Sequence, residues 1–301
     1  MSTKPNVIIY HRADFDGKFS LEVAKKFLGQ DTEAIGWDYS DELPIGALGD
    51  WGAYQNVYIL DLSIRQLMDL PNLVWIDHHK TAIEKWDTAE RAGFRLDGVA
   101  ACRLAYAYFK MGALGVKMPT VDEFKNRWLP YDEPRALTLA GEYDVWCRTD
   151  PDTDRLQLGL RTLGGAEQLR AISTILDSGR PASILLNGLL SSGEIIKQFT
   201  RVSNCGTVKA LGFTLRWEGE VFYACNCQGN SLTFEGSKVG DHTAYLLFKW
   251  LGPKKVWSVS LYGIDGVTRR DLSEIAVKYG GGGHRHACGF TCKKLPFELQ
   301  E

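Results

Sequence analysis

Over the first 150 residues, short unbroken apolar runs alternate with helix-spaced apolar positions. Val7-Ile8-Ile9, Val57-Tyr58-Ile59-Leu60 and Leu73-Val74-Trp75-Ile76 are too brief for helices and rich in branched or aromatic residues, so each reads as a strand. Their continuity, rather than strict alternation, predicts a sheet covered on both faces. Asn6 to Tyr10 and Glu33 to Tyr39 bound the first two strands. Between them Leu21, Ala24, Phe27 and Leu28 recur at helical spacing, with Gly29 as the stop. Ser63 is placed to cap a helix with Ile64, Leu67 and Met68 inward, and Gly46 to Gly52 reads as a loop. Strands alternating with helices imply a parallel, doubly wound sheet.

From Gly98 the pattern turns helical: Ala100 to Met111, an amphipathic stretch from Thr120, and a helix entered at Pro134 with Asp132 as its cap. Residues 151–204 read as a helical connector, with Leu169 to Leu176 and Ile184 to Phe199 separated by Gly179-Arg180-Pro181. Strands then dominate at Thr207 to Trp217, Val221 to Asn226, Ala244 to Trp250 and Val256 to Tyr262. A helix over Asp271 to Tyr279 runs into Gly280-Gly281-Gly282-Gly283-His284. The expected fold class is therefore α/β: a doubly wound, mainly parallel sheet in residues 1–150, the helical connector, and a second, smaller α/β domain in 205–301.

Composition narrows the function. With 301 residues, 45% hydrophobic and 24% charged, the chain is ordinary globular material, which excludes disordered and fibrous classes. A net charge of −2 gives no bulk basis for wrapping duplex nucleic acid, though a local site for a small anion stays open. No apolar run approaches a membrane span, and Met1 to Asn6 lacks the layout of a secretion signal. Seven scattered cysteines, an odd number, suit reduced thiols in a cytoplasm. Cys225 with Cys227, and Cys288 with Cys292, lack zinc-knuckle spacing and read as small strand residues.

The chemistry collects at strand ends. The first strand delivers His11-Arg12-Ala13-Asp14-Phe15-Asp16-Gly17, a later one ends at Asp61, and the next at Asp77-His78-His79. In open parallel sheets ligands gather at the carboxyl ends of strands, so three such ends carrying Asp or His point to one cation-holding rim. One acid would suffice to cap the helix after Asp14; a His and two acids exceed that need. Asp144, taken alone, reads as an exposed helix-end acid. Four successive glycines fit either a flexible turn or a loop whose backbone N–H groups line up on a phosphate.

These pieces, in this order, resemble the DHH phosphoesterase superfamily with its associated C-terminal domain. The resemblance spans nearly the whole chain: His11-x-x-Asp14-x-Asp16-Gly17, Asp61, Asp77-His78-His79, Asp144, Gly280 to His284, and Ala287 to Phe290. It implies two Mn²⁺ ions, with Mg²⁺ or other divalent ions as substitutes. One would be held by His11, Asp14 and Asp61, the other by Asp16, Asp61, His78 and Asp144. It implies that Asp77 orients the His pair, that His79 faces the phosphoryl group, and that Gly281, Gly282, Gly283, His284 and Arg269 hold substrate. Many relatives carry Arg after a Val-Ser-Leu strand, where this chain has Tyr262; Arg269 and Arg270 are the nearby cations.

The implied activity is hydrolysis of phosphoester bonds in short nucleotides or oligonucleotides by a metal-activated water, with activity falling as acid removes the metal. A pyrophosphatase or polyphosphatase is the alternative within that chemistry, and a catalytically silent nucleotide-binding protein the alternative outside it. A nicotinamide-dependent enzyme fits poorly, because the glycine run follows a helix rather than a first strand. Expected partners are a phosphoester substrate and no membrane, with homo-oligomerisation left open.

Overall fold

A computed structural model describes residues 5–39, 41–42, 50–86, 91–112, 118–127, 129–147, 149–229, 231–234 and 240–298. Most of the loop expected from Gly46 lies outside them. The chain forms two compact units, Met1–Ile196 and Lys197–Glu301.

The first unit is built on β1 (Val7–His11), β2 (Glu33–Trp37), β3 (Val57–Leu60) and β4 (Leu73–Ile76), ordered β2-β1-β3-β4 and parallel throughout. Side chains alternate across the sheet. Ile8, Tyr58, Leu60, Val74 and Ile76 face one core with α1 (Phe15–Leu28), α3 (Ala101–Gly112) and α5 (Arg135–Asp144). Val7, Ile9, Val57, Ile59, Leu73 and Trp75 face a second core completed by Trp37, Trp51, Tyr54, Leu62, Ile64, Leu67 and Met68. Both faces are thus covered, as the unbroken apolar runs require. Beyond β4, residues 92–96 run alongside it, with Trp75 N–H donating to Ala92 O and Asp77 N–H to Phe94 O. Gly93 makes this approach, since a Cβ there would lie 2.0 Å from Trp75 O.

Several expected elements differ in detail. The helix predicted after Ser63 is one 3₁₀ turn, Arg65–Leu67, capped by Ile64 without a side-chain bond. Its apolar residues still point inward, but they are too few to sustain α-helix. Asp132 does not cap α5, whose N-cap is Pro134. The neighbouring Glu133 instead accepts from the buried Arg103 and from Thr138. After α2 (Lys80–Trp86) and α4 (Val121–Lys125) come α6 (Asp152–Leu160), α7 (Gly165–Ile175) and α8 (Arg180–Leu211). Residues 151–196 do more than connect: Leu156, Leu160, Ile172, Ile175, Leu189 and Leu190 bury into the first core. Glycines let α6 and α8 touch backbone to backbone, because a Cβ on Gly193 would lie 1.8 Å from Arg155 O and one on Gly159 2.2 Å from Leu189 O.

The strand predicted from Thr207 begins only at Gly212. Residues 207–211 are the last turn of α8, where Val208 is buried against Cys225, Phe234 and Leu247. That burial overrides the β preference of Thr207 and Val208. The second unit is a six-stranded mixed sheet, β5 (Gly212–Trp217), β6 (Glu220–Cys225), β7 (Ala244–Leu251), β8 (Val256–Gly263), β9 (Gly282–His284) and β10 (Ala287–Cys292), ordered β5-β6-β7-β8-β10-β9. Only β6 and β7 pair in parallel; α9 (Ser273–Lys278) covers it with Ile275 and Ala276 buried. No helix among the described residues is long and apolar enough to cross a membrane.

Candidate metal centre

The carboxyl ends of β1, β3 and β4 open onto one cluster. β1 ends at His11, whose Nδ1 is 2.9 Å from Asp14 Oδ2 and 3.4 Å from Asp61 Oδ2. Asp14 is the N-cap of α1, its Oδ1 accepting from Gly17 N–H at 3.0 Å, so this acid caps the helix and faces His11 at once. Gly17 is dictated by space: a Cβ would sit 1.9 Å from His11 O. In the first turn of α1, Asp16 is buried and both its oxygens accept N–H bonds, from Ala101 and Cys102, at 2.8 Å. The start of α3 therefore fixes this carboxylate, through partners no sequence motif announced.

Asp61 follows β3 in the left-handed region, with φ of 62°, while its N–H donates to Ile76 O. Such a conformation is uncommon outside glycine, and Asp is among the residues that tolerate it. The side chain is 1% exposed, and neither oxygen has a hydrogen-bond partner among the described residues. After β4, His78 Nε2 lies 3.2 Å from Asp144 Oδ2, 3.4 Å from Asp61 Oδ1 and 3.6 Å from Asp16 Oδ2. Asp144, the last residue of α5, is thus turned into the cluster, which the exposed helix-end reading did not anticipate. Fully buried Asp77 accepts from the N–H groups of His78 and His79 and from His79 Nδ1 at 2.7 Å. That contact places the His79 ring proton on Nδ1 when the ring is neutral.

Three sets of donor atoms lie within 4.8 Å of one another: His11, Asp14 and Asp61; Asp16, His78 and Asp144; and Asp61, His78 and His79. The electrostatics of so many acids are strained. Burial, then the charges of Asp16 and Asp14, push the Asp61 carboxyl well above its usual range. Burial and Asp16 push Asp144 up to about 7. Burial opposes charge on His11, but the carboxylates of Asp14 and Asp61 facing its Nδ1 outweigh it and raise the ring to about 10. His78 and His79 are raised against the same burial penalty, by Asp144 and Asp16 in one case and by Asp77 in the other. Only Asp14 is lowered: burial resists ionisation, and the bond to His11 prevails. A fully buried carboxylate with two unpartnered oxygens amid other acids is expensive unless a cation joins it. Mixed carboxylate and imidazole donors suit Mn²⁺, with Zn²⁺ a competitor. The donor set is compatible with binding of divalent metal.

Sequence reasoning missed Asp38, just past the end of β2, whose Oδ1 is 3.6 Å from His11 Nε2. It obeys the same strand-end rule and was passed over because no His or second acid adjoins it. Tyr39 packs edge-on to the His11 ring, and its hydroxyl accepts from Ser63 N–H. The remaining predicted residues belong to the second unit. Gly280 and Gly281 donate their N–H groups to Val277 O and Ala276 O, closing the end of α9, so two of the four glycines are occupied as a helix cap. Gly282, Gly283 and His284 form β9, an edge strand; Gly283 has φ of 131°, and a Cβ there would lie 2.6 Å from Ala287 O. Arg269 is exposed, its carbonyl accepting from Arg285, whereas Arg270 donates to Glu218 O. Tyr262 pairs with Ala287 across β8 and β10.

No family model matches the sequence, and no curated protein does. Solved structures do match the fold. A pGpG-specific phosphodiesterase of Vibrio cholerae aligns with 14% identity over 96% of this chain and 93% of its own, at a TM-score of 0.55. A DHH domain from a member of a family of ribosomal proteins aligns over 95% and 82%, with 14% identity and a TM-score of 0.48. An exopolyphosphatase-related protein of Bacteroides fragilis aligns over 98% and 88%, with 14% identity and a TM-score of 0.43. At 14% identity, the likeness to the phosphodiesterase shows that this chain shares its two-unit α/β fold.

Proposed function

We propose that this chain is a two-metal phosphoesterase that hydrolyses phosphoester bonds in short nucleotides or oligonucleotides. The observation that carries the reading is Asp61: buried, unpartnered on both oxygens, and shared between two donor sets that otherwise use different residues. His11, Asp14 and Asp61 would hold one divalent ion, and Asp16, Asp61, His78 and Asp144 the other, with Mn²⁺ the best match to the donors. Bound there, divalent metal would supply positive charge beside a phosphate and lower the pKa of a water.

The chain's own residues do the rest. Asp16 is held rigid by the start of α3, and Asp14 by the start of α1, so the acids need little reorganisation on binding. Asp77 locks the His79 ring by its Nδ1, leaving Nε2 as the nitrogen available to a leaving oxygen. Burial opposes charge on that ring, but Asp77 raises its pKa, which favours the protonated form able to stabilise departing charge. The similar fold of a phosphodiesterase acting on pGpG favours a short nucleotide over a polymer. Gly281, Gly282, Gly283, His284 and Arg269 are the second unit's candidates for binding substrate.

The test is a panel of nucleotidic phosphoesters, with pyrophosphate included, incubated with Mn²⁺ and the products identified. A short nucleotide should turn over faster than pyrophosphate, and Asp61→Ala should abolish turnover while keeping a native circular-dichroism spectrum. Full activity in Asp61→Ala refutes the reading; pyrophosphate as the preferred substrate replaces it with the pyrophosphatase alternative.

A further inference from the structure

Beside the acid cluster lies a cavity of about 260 Å³ within the first unit. One side is formed by the acids Asp14, Asp16 and Asp144, the other by Lys18 on α1 and by Gln157 and Arg161 on and just after α6. At about 30 Å³ per water the space equals roughly nine waters, below the roughly 300 Å³ floor for whole small-molecule pockets. It accommodates a group rather than a nucleoside.

Among the described residues neither Lys18 nor Arg161 forms an ion pair, although the nearest acids line the same cavity. Lys18 is instead held by Gln168 Oε1 at 2.9 Å, and Gln168 is itself anchored by donating to Leu160 O and Leu163 O. That leaves the ammonium positioned, with two of its three protons unspent. Gln157 is the independent observation. It is 3% exposed and lines the cavity, and its side-chain amide makes no hydrogen bond among the described residues. The amide opens onto the cavity that Lys18 and Arg161 also line, so it is placed to donate to a ligand that accepts hydrogen bonds.

We propose that this cavity is an oxyanion subsite: Arg161, Lys18 and Gln157 hold a second phosphoryl group beside the metal centre. That group is either carried by the substrate or is inorganic phosphate released on hydrolysis. Its role in turnover rests on the phosphoesterase reading; its ability to bind phosphate does not. Arg161 supplies a planar fork suited to two phosphate oxygens, Lys18 a point charge, and the Gln157 amide a neutral donor. The subsite also supplies cationic charge within the first unit itself, where Tyr262 in the second leaves the expected arginine position empty of it.

The experiment uses the full chain loaded with Mn²⁺ and titrated calorimetrically with inorganic phosphate. Arg161→Gln, an exposed substitution, and Lys18→Gln should each weaken phosphate about tenfold or more. Gln157→Leu should weaken it less. Phosphate affinity unchanged in both cation variants overturns the proposal. In turnover, the ratio of kcat/KM for a nucleoside bisphosphate over a nucleoside monophosphate should fall in Arg161→Gln when substrate carries the group. An unchanged ratio together with lost inhibition by phosphate assigns the subsite to the released ion. A wild-type protein that hydrolyses nothing yet binds phosphate through Arg161 refutes the phosphoesterase reading and upholds the subsite. Turnover with Arg161-independent phosphate binding does the reverse.

Discussion

Removing the charge of Asp144 should make the metal-free protein more stable while impairing its metal binding. Burial and Asp16 raise this carboxyl from 3.8 to about 7. An acid that holds its proton more tightly when folded loses stability for the fold as pH climbs from its unfolded to its folded pKa. The full shift is worth about 4 kcal/mol. Because 23% of the side chain remains exposed and neighbouring groups share the charge, about half, ~2 kcal/mol, is retained. Somewhat more than half of that, about 1 kcal/mol, falls between pH 5 and 8. His11, raised to about 10, acts in the same direction: its contribution is complete below pH 6.5 and is lost as pH climbs through 10. Asp14, lowered, contributes above its unfolded pKa and loses that only toward acid, so it is silent in this window. In chelator, the Tm of wild type should therefore fall by about 2–4 °C from pH 5 to 8. Asp144→Asn should flatten that slope and melt about 4–8 °C above wild type at pH 8. Adding Mn²⁺ should reverse the order. Scanning calorimetry or thermal-shift measurements at the two pH values, with and without metal, read all of these. An Asp144→Asn protein less stable than wild type in chelator at pH 8 would refute the view that these acids repel one another until a cation arrives.

Other substitutions probe the scaffold. Gly193→Ala drives a Cβ into Arg155 O and should cost about 1–3 kcal/mol by overpacking, read as a lowered Tm; an unchanged Tm contradicts the close helix approach. Gly17→Ala displaces the start of α1 from His11 and should weaken Mn²⁺ at least tenfold by calorimetry, an effect on the scale of lost supporting contacts around metal ligands. Asp77→Asn keeps an accepting oxygen but removes the negative charge that helps raise the His79 pKa. It should lower kcat about 100-fold and move the alkaline limb of the pH–rate profile toward acid, and an unmoved limb argues against a proton held on His79.

The parallel sheet and its rim were legible because two strong signals coincided: branched apolar runs too short for helices, and Asp or His immediately after them. Each strand of that sheet was placed within two residues of its observed ends, with β2 two residues shorter than expected. What sequence could not supply was tertiary. Asp16 is fixed by amides eighty-five positions away, and no local pattern encodes that. Val208 sits in a helix because of a burial partner on β7 and another on β6. Lys18 and Arg161 are isolated basic residues in sequence and become neighbours around a cavity only through the packing of α6 and α7 near α1. Gly280 and Gly281 were visible as glycines, but their task of ending α9 depends on which N–H groups the helix leaves to be satisfied.

The hold of α3 on Asp16 has a practical corollary for anyone wanting an inert yet intact control. An amide in place of that carboxylate can offer one oxygen where two backbone donors wait, leaving an interior donor against an NH₂ group and loosening the adjoining helix. A loss of activity there would confound chemistry with architecture. Asp61 has no donors of its own to forfeit, so the knockout belongs at that position.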